Sequence, residues 1–189
     1  MKFCSTCGSP DIALRIPEGD NLPRHVCPAC RTIHYQNPKV VVGCLPEWNG
    51  QVLLCKRAIE PRHGLWTLPA GFLENAETIV AGAMRETLEE ANARVATCEL
   101  YTMISLPHIN QIYVMFRARL LDLDFGPGPE SLEVRLFDEH EVPWEELAFR
   151  TITRTLRNYF LDRRAGAFPV RLSALERRPP VSPELQSAG

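Results

Sequence analysis

The chain has 189 residues, of which 45% are apolar and 23% are charged, and its formal net charge is −2. This length suits one ordinary domain with a small additional module. The chain lacks the basic surplus that is typical of nucleic-acid-binding proteins, an apolar stretch long enough to cross a membrane, and the apolar segment of a secretory signal. We therefore expect a cytoplasmic protein that binds neither nucleic acid nor membrane.

Four of the seven cysteines form two pairs, Cys4-x-x-Cys7 and Cys27-x-x-Cys30, near the start of the chain. Each pair fits a tight knuckle, and two knuckles supply the four thiolates of a closed tetrahedral zinc site. Because no ligand position remains for water or substrate, we expect this zinc to be structural. Free thiols, a redox pair and an iron–sulfur cluster are the alternatives that remain open.

After residue 36, hydrophobic patterning predicts alternating strands and helices. The predicted elements are strands over 39–45 and 52–55 joined by an Asn-Gly turn, a loop-rich segment over 57–71, a helix over 77–91, strands over 95–105, 111–121 and 133–137, and a helix within 145–163. The end of the chain, which contains Pro179, Pro180 and Pro183, is predicted to be disordered.

The helix over 77–91 has the clearest periodicity, and Asn92 follows it as a residue able to take the left-handed cap position. Its predicted buried face consists of Ile79, Val80, Ala83, Met84, Thr87, Leu88 and Ala91.

Three glutamates share another sector of this helix, with Glu86 and Glu90 stacked one turn apart and Glu89 beside them. Such crowding of like charge destabilises a bare helix, and a divalent cation with oxygen ligands would relieve it. Considered alone, this patch is also compatible with an ordinary solvated acidic face.

The loop before the helix changes this interpretation, because loop and helix together resemble the Nudix box. The matching positions are Gly71-x₅-Glu77-x₇-Arg85-Glu86-x-x-Glu89-Glu90, with Asn92 in place of the usual late glycine. Residues 35–39, 53–57, 63–71 and 127–133 also look like a zinc-ribbon Nudix subgroup of bacteria and plant plastids. Members of that subgroup are described as ADP-ribose or FAD pyrophosphatases.

The resemblance implies an α/β fold, a Nudix α/β/α sandwich with a mixed β-sheet, plus a small N-terminal zinc ribbon. The expected domains are the ribbon at 1–36, the hydrolase domain at 37–165 and a partly disordered extension at 166–189. It also implies Mg²⁺ or Mn²⁺ at Glu86 and Glu90, with Glu89 as a further ligand or as the group that activates water. Arg85 would pair with Glu77, and Gly71 would let the loop backbone approach the metal.

The expected reaction is hydrolysis of the pyrophosphate bond of an ADP-containing nucleotide, either FAD or ADP-ribose. Candidate substrate contacts are Trp66, Gln111, Tyr113 and Glu133. Core packing is the alternative for Trp66 and Tyr113, and a plain surface position is the alternative for Glu133. The Trp-containing stretch of the NADH-cleaving subgroup is missing from residues 104–111. An NADH pyrophosphatase and a weakly catalytic nucleotide sensor remain as alternatives, and a homodimer is left open.

Overall fold

The computed structural model describes residues 1–177, and it divides into two compact units after Pro38. The first unit contains a three-stranded antiparallel sheet, formed by β1 (Ala13–Arg15), β2 (Arg24–Val26) and β3 (Ile33–His34). The disorder predicted for the proline-rich end falls on residues 178–189, which lie outside the described residues.

The second unit is built on an eight-stranded sheet with two α-helices. Its elements are β4 (Lys39–Trp48), β5 (Gln51–Arg57), β6 (Trp66–Thr67), β7 (Ala70–Phe72), α1 (Ile79–Ala91), β8 (Val95–Leu106), β9 (Gln111–Leu120), β10 (Ser131–Phe137), α2 (Arg150–Ala165) and β11 (Arg171–Ala174). The order is β10-β5-β4-β9-β8-β11, with β6 beside β5 and β7 beside β4. β4 with β9 and β8 with β11 are parallel and the other pairs are antiparallel, so the predicted mixed sheet is confirmed.

Alternate residues of the central strands separate the core into two layers. In β5, Val52 and Leu54 pack with Ile152 and Leu156 of α2. Leu53, which lies between them in the strand, packs in the other layer with residues of α1. Successive side chains of a strand point to opposite faces, so the helices cover opposite faces of the sheet, as the predicted sandwich requires.

Helix α1 has the predicted period but a different buried face. The residues that it buries are Gly82, Ala83, Thr87, Glu90 and Ala91. Four residues that were expected in the core are exposed instead: Ile79 (40%), Val80 (36%), Met84 (39%) and Leu88 (50%). The prediction of the face was wrong in this part because small side chains, rather than the large apolar ones, let α1 pack closely on the sheet.

One residue caps each end of α1, Thr78 at the start and Asn92 at the end. The helix begins at Ile79, two residues later than predicted, and the Thr78 hydroxyl accepts a hydrogen bond from the Ala81 amide at 3.1 Å. Asn92 has the left-handed conformation expected of it, with a φ of 48°, and its amide donates to the Leu88 carbonyl. The caps therefore set the helix length more exactly than hydrophobic periodicity does.

Strand β11 was not predicted, and it joins residues after α2 to the main sheet. Asp162 of α2 holds this segment in place, because its carboxylate accepts hydrogen bonds from Arg171 and from the buried Tyr101 hydroxyl. Within residues 1–177, no helix has the length and apolar composition needed to cross a membrane.

Candidate functional site

A cavity of about 1250 Å³ opens beside α1 and receives residues from several loops. Its acidic side chains are Glu60, Glu74, Glu86, Glu89, Glu90 and Glu130. Arg57, Arg62, Arg85 and Arg150 supply positive charge, and Val41, Leu106, Tyr113, Phe149 and Leu175 form an apolar wall. The cavity thus combines carboxylates that can hold a cation with a surface suited to an aromatic or aliphatic group.

Arg85 connects the loop before α1 to the helix itself. Its guanidinium donates to both carboxylate oxygens of Glu77, at 3.1 and 2.8 Å, and to the Phe72 carbonyl at 3.3 Å. The same side chain donates to Glu86 at 2.7 Å and to Glu89 at 3.0 Å. This pairing with Arg85 lowers the pKa of Glu77 to about 2, so the carboxylate remains charged and holds the loop against α1.

The three glutamates of the acidic sector differ in their environments. Glu90 is only 6% exposed and accepts a hydrogen bond from the Ala70 amide at 3.2 Å. Burial, together with the nearby charges of Glu86 and Glu130, raises the pKa of Glu90 to about 8. The Glu89 side chain is 58% exposed and lies on the outer side of Arg85, so the helical sector predicted from the sequence extends from the interior to the solvent.

Gly71 leaves the space that the Glu86 carboxylate occupies. A Cβ atom at residue 71 would overlap with both carboxylate oxygens of Glu86. The predicted role of this glycine, a close approach of the loop to the site, agrees with that geometry.

The acidic group suits a hard divalent cation. Burial raises the pKa of both Glu86 and Glu90, and a bound cation would favour their charged forms. Within residues 1–177, cysteines form the only set of three or more side chains whose ligand atoms all lie within 4.8 Å of one another. The glutamates therefore fit Mg²⁺ as a partial ligand set, which is usual for this ion because waters and substrate phosphates complete its shell.

Glu130 was missed by the sequence analysis, which named Glu133 instead. The loop before β10 docks on the end of α1, where the amides of Gly126 and Gly128 donate to the carbonyls of Ala91 and Glu90. This docking places Glu130 in the cavity wall. The segment 127–133 had been noted for its resemblance, but only the contact with α1 selects which of its glutamates faces the site.

The four predicted substrate contacts fall into two groups. Gln111 and Tyr113 line the cavity, whereas Trp66 and Glu133 do not. Trp66 is 5% exposed and packs edge-on against Phe137 in the core. Glu133 lies in β10 opposite Lys56. Strand pairing therefore places Trp66 and Glu133 away from the cavity, whereas it leaves Gln111 and Tyr113 in its lining.

The cysteines of the first unit form a separate cluster. Cys4 and Cys30 have their sulfurs 3.6 Å apart, as do Cys7 and Cys27, and all four lie within 4.8 Å of one another. A tetrahedral ion with bonds of about 2.3 Å to sulfur separates its ligands by about 3.8 Å. The cluster thus has the dimensions of a zinc site.

Two similar turns build this cluster. The amide of Gly8 donates to the Cys4 carbonyl, and the amide of Arg31 donates to the Cys27 carbonyl. Gly8 and Arg31 take equivalent positions and have φ values of 74° and 63°. The second turn therefore lacks the glycine that marks the first one in the sequence.

Comparison with known proteins agrees with this architecture. The NUDIX domain model matches residues 37–158, and a zinc-ribbon model described as Nudix N-terminal matches residues 2–36. A crystal structure of a Nudix hydrolase from Nitrosomonas europaea is 63% identical, with a TM-score of 0.90 over 94% of this chain and 100% of that one.

Two curated relatives carry more specific names. An ADP-ribose pyrophosphatase from Methanocaldococcus jannaschii is 30% identical over 61% of this chain and 69% of its own length. The NAD-capped RNA hydrolase NudC of Stutzerimonas stutzeri is 27% identical over 87% of this chain. The chain spans only 58% of the length of that NudC protein. The NUDIX match over residues 37–158, joined to the loop–helix arrangement around Arg85, shows that this chain belongs to the Nudix hydrolase family.

Proposed function

We propose that this protein hydrolyses the pyrophosphate bond of an ADP-containing nucleotide, with FAD and ADP-ribose as the preferred substrates. The observation that carries the proposal is one cavity that is lined both by Glu86, Glu90 and Glu130 and by a set of apolar side chains. A pyrophosphate repels an attacking nucleophile because it is negatively charged, and a bound Mg²⁺ or Mn²⁺ supplies charge neutralisation and a more acidic water.

The side chains of this protein then have separate tasks. Glu86 and Glu90 hold the cation, with Glu89 and Glu130 as further acidic groups near it. Arg85 and Glu77 fix the loop, so that Gly71 and the Ala70 amide keep Glu86 and Glu90 in position. Arg57 is 9% exposed, lines the cavity and makes no ion pair within residues 1–177. Its charge is available to a substrate phosphate.

The preference for FAD and ADP-ribose is supported by the ADP-ribose pyrophosphatase among the relatives and by the resemblance of residues 127–133. The NudC names support a second candidate, an NAD-type substrate that includes capped RNA. If capped RNA is a substrate, the expectation that the protein does not bind nucleic acid is wrong. A nucleotide sensor, the third alternative, requires a site that binds without turnover.

A substrate panel with Mg²⁺ or Mn²⁺ is expected to separate these candidates. ADP-ribose should yield AMP and ribose 5-phosphate, and FAD should yield FMN and AMP, as measured by chromatography of the products. The panel includes NADH, NAD-capped RNA, diadenosine polyphosphates and nucleoside triphosphates. The substrate assignment fails if neither FAD nor ADP-ribose is cleaved while another compound is turned over at least about tenfold more efficiently, a difference of about 1.4 kcal/mol.

Gly71→Ala is expected to lower kcat/KM by about tenfold or more, since the new Cβ displaces the Glu86 carboxylate. The carboxylate is the end of a flexible side chain, so the fold should survive with little change in melting temperature. Gly126→Ala is the matched control, because no atom lies within 4 Å of its added Cβ. Equal activity of the two variants would show that Glu86 does not need its observed position.

We further propose that residues 1–36 are a zinc ribbon, with structural zinc on Cys4, Cys7, Cys27 and Cys30, and that residues 37–165 are the hydrolase domain. The domain matches and the division after Pro38 support these boundaries. Strand β11 indicates that part of the extension from residue 166 belongs to the hydrolase sheet. A homodimer and a cytoplasmic location stay predictions.

A further inference from the structure

The loop between β5 and β6, residues 58–65, is held in the cavity wall by hydrogen bonds to Arg57. The Arg57 amide donates to the Leu65 carbonyl at 2.9 Å, and the Arg57 carbonyl accepts from the Gly64 amide at 2.8 Å. The Arg57 Nε donates to the Pro61 carbonyl at 3.0 Å. Because the Pro61 carbonyl carbon is bonded to the nitrogen of residue 62, this last bond keeps the backbone of Arg62 beside the Arg57 guanidinium. Both arginines line the cavity.

Arg62 has a backbone conformation that its residue type rarely adopts. Its φ is 73°, in the left-handed region, where the Cβ atom of an L-residue crowds the following carbonyl oxygen. Three other residues of the hydrolase unit with this conformation are asparagines, Asn49, Asn92 and Asn110, and asparagine tolerates it well. Arginine is therefore not the residue that this turn favours. Backbone strain of this kind is concentrated at sites that bind ligands.

The positive charges of Arg57 and Arg62 have no carboxylate in contact with them. Within residues 1–177, neither side chain makes an ion pair. Apart from Nε, the guanidinium nitrogens of Arg57 make no hydrogen bond in this part of the chain, and they keep accessible surface, so a group in the cavity can reach them. A cation that is only 9% exposed requires a counter-charge, because burial removes most of its hydration.

The glutamates of the cavity interact with Arg57 over distance, not by contact. Burial raises the pKa of Glu90, and the positive charge of Arg57 acts against that rise. A divalent cation bound to Glu86 and Glu90 would neutralise these carboxylates. The anion that remains to pair with the two arginines is then supplied by the substrate, and a guanidinium matches the non-bridging oxygens of a phosphate.

We infer that Arg57 and Arg62 form a clamp on one phosphate of the substrate, and that Arg62 selects compounds with two linked phosphates over monophosphates. The cation on the glutamates of α1 holds one phosphate, and the clamp holds the other. A monophosphate fills only the position at the cation and gains nothing from Arg62. This inference rests on the proposed function and adds the residue that recognises the second phosphate.

Arg62→Asn tests the inference, because asparagine fits the left-handed backbone and removes the charge. Calorimetric titration of the full chain with α,β-methylene-ADP and with AMP, each with Mg²⁺, measures binding without requiring turnover. The first ligand has two linked phosphates with a bridging carbon that water does not cleave. We expect its Kd to rise about tenfold in the variant, as loss of a charge-assisted contact predicts, and the Kd of AMP to stay the same.

The melting temperature supplies the second measurement. A residue retained for binding at the expense of backbone strain predicts that Arg62→Asn leaves the melting temperature unchanged or raises it, whereas a structural role predicts that it falls. Arg119→Gln is the matched control, since Arg119 is an exposed arginine of β9 that lies outside the cavity lining and makes no ion pair within residues 1–177. It should bind both ligands as the wild type does.

Three results overturn the inference: an unchanged Kd of α,β-methylene-ADP in Arg62→Asn, an equal loss for both ligands, or weaker binding accompanied by a lower melting temperature. These outcomes are distinguishable from failure of the proposed function. If no pyrophosphate compound is hydrolysed but Arg62→Asn selectively weakens binding of α,β-methylene-ADP, the clamp stands and the catalytic assignment falls. If hydrolysis proceeds and Arg62→Asn binds both ligands as the wild type does, the catalytic assignment stands and the clamp falls.

Discussion

Replacing Glu90 with glutamine is expected to lower kcat by a factor of about 100 or more, a loss of roughly 2.7 kcal/mol of transition-state stabilisation. Glutamine has almost the same shape and can still accept the hydrogen bond that the Ala70 amide donates. The change therefore removes the negative charge that would hold a divalent cation beside the pyrophosphate. Steady-state kinetics on the best substrate of the panel, at several Mg²⁺ concentrations, measure this effect.

The same variant should be more stable than the wild type in the absence of metal at alkaline pH. The pKa of Glu90 is raised from an ordinary value of 4.5 to about 8 in the folded protein. Stability associated with its neutral form is fully present below about pH 4.5 and is lost as the pH rises through about 8. Glu90→Gln removes this titration, so the melting temperatures should agree at pH 4 and diverge toward pH 9.

Glu139→Gln is the control for both measurements, because the Glu139 side chain is 43% exposed and pairs with Arg164 away from the cavity. Its kinetics and pH dependence should match those of the wild type. If Glu90→Gln retained near-complete activity, the cation would be held by other residues. If its stability at alkaline pH equalled that of the wild type, the Glu90 carboxylate would not be buried in solution.

Removal of zinc is expected to unfold the N-terminal unit. The buried hydrophobic residues within residues 1–38 are only Cys4, Val26 and Cys27, which cannot form an apolar core. In small domains of this kind, metal binding of about 10–16 kcal/mol provides the folding free energy. A strong chelator, or Cys27→Ser, should therefore expose residues 1–36 to proteolysis while residues 39–177 remain resistant.

Metal analysis and limited proteolysis together measure this prediction. Protein purified without chelators should contain one zinc per chain, and Cys27→Ser should contain none. Cys98→Ser is the control, since Cys98 lies in β8 outside the cluster, and this variant should retain its zinc. Protein without zinc, or a Cys27→Ser variant that resists proteolysis as well as the wild type, would contradict a structural zinc site.

His34 adds a detail to this site that the cysteine spacing did not reveal. Its Nε2 lies 3.4 Å from the Cys4 sulfur, close enough to donate a hydrogen bond to a thiolate. Burial raises the pKa of Cys4, but hydrogen bonds from the backbone of Cys7 and Thr6 and from the side chains of His34 and Cys30 outweigh this effect, so the pKa is lowered to about 5. The Cys4 thiol therefore loses its proton readily and gives the thiolate that binds a metal ion.

The sequence alone determined those features that depend on local geometry. The two Cys-x-x-Cys pairs predicted the cysteine cluster, because a knuckle is formed by a few consecutive residues. Asn49 and Gly50 predicted the turn between β4 and β5, where both have positive φ values. The spacing from Gly71 to Glu90 predicted a loop–helix motif and the relative positions of its charged side chains, since helical periodicity is a property of the chain itself.

Only the tertiary structure decided which side chains face the site or the core. Helix α1 buries Glu90 and exposes Leu88, a choice made by close packing on the sheet rather than by periodicity. The pairing of β6 with β5 places Trp66 in the core. Glu130, rather than Glu133, lines the cavity because its loop docks on the end of α1. Each of these placements depends on contacts between distant segments, and a local pattern carries no information about such contacts.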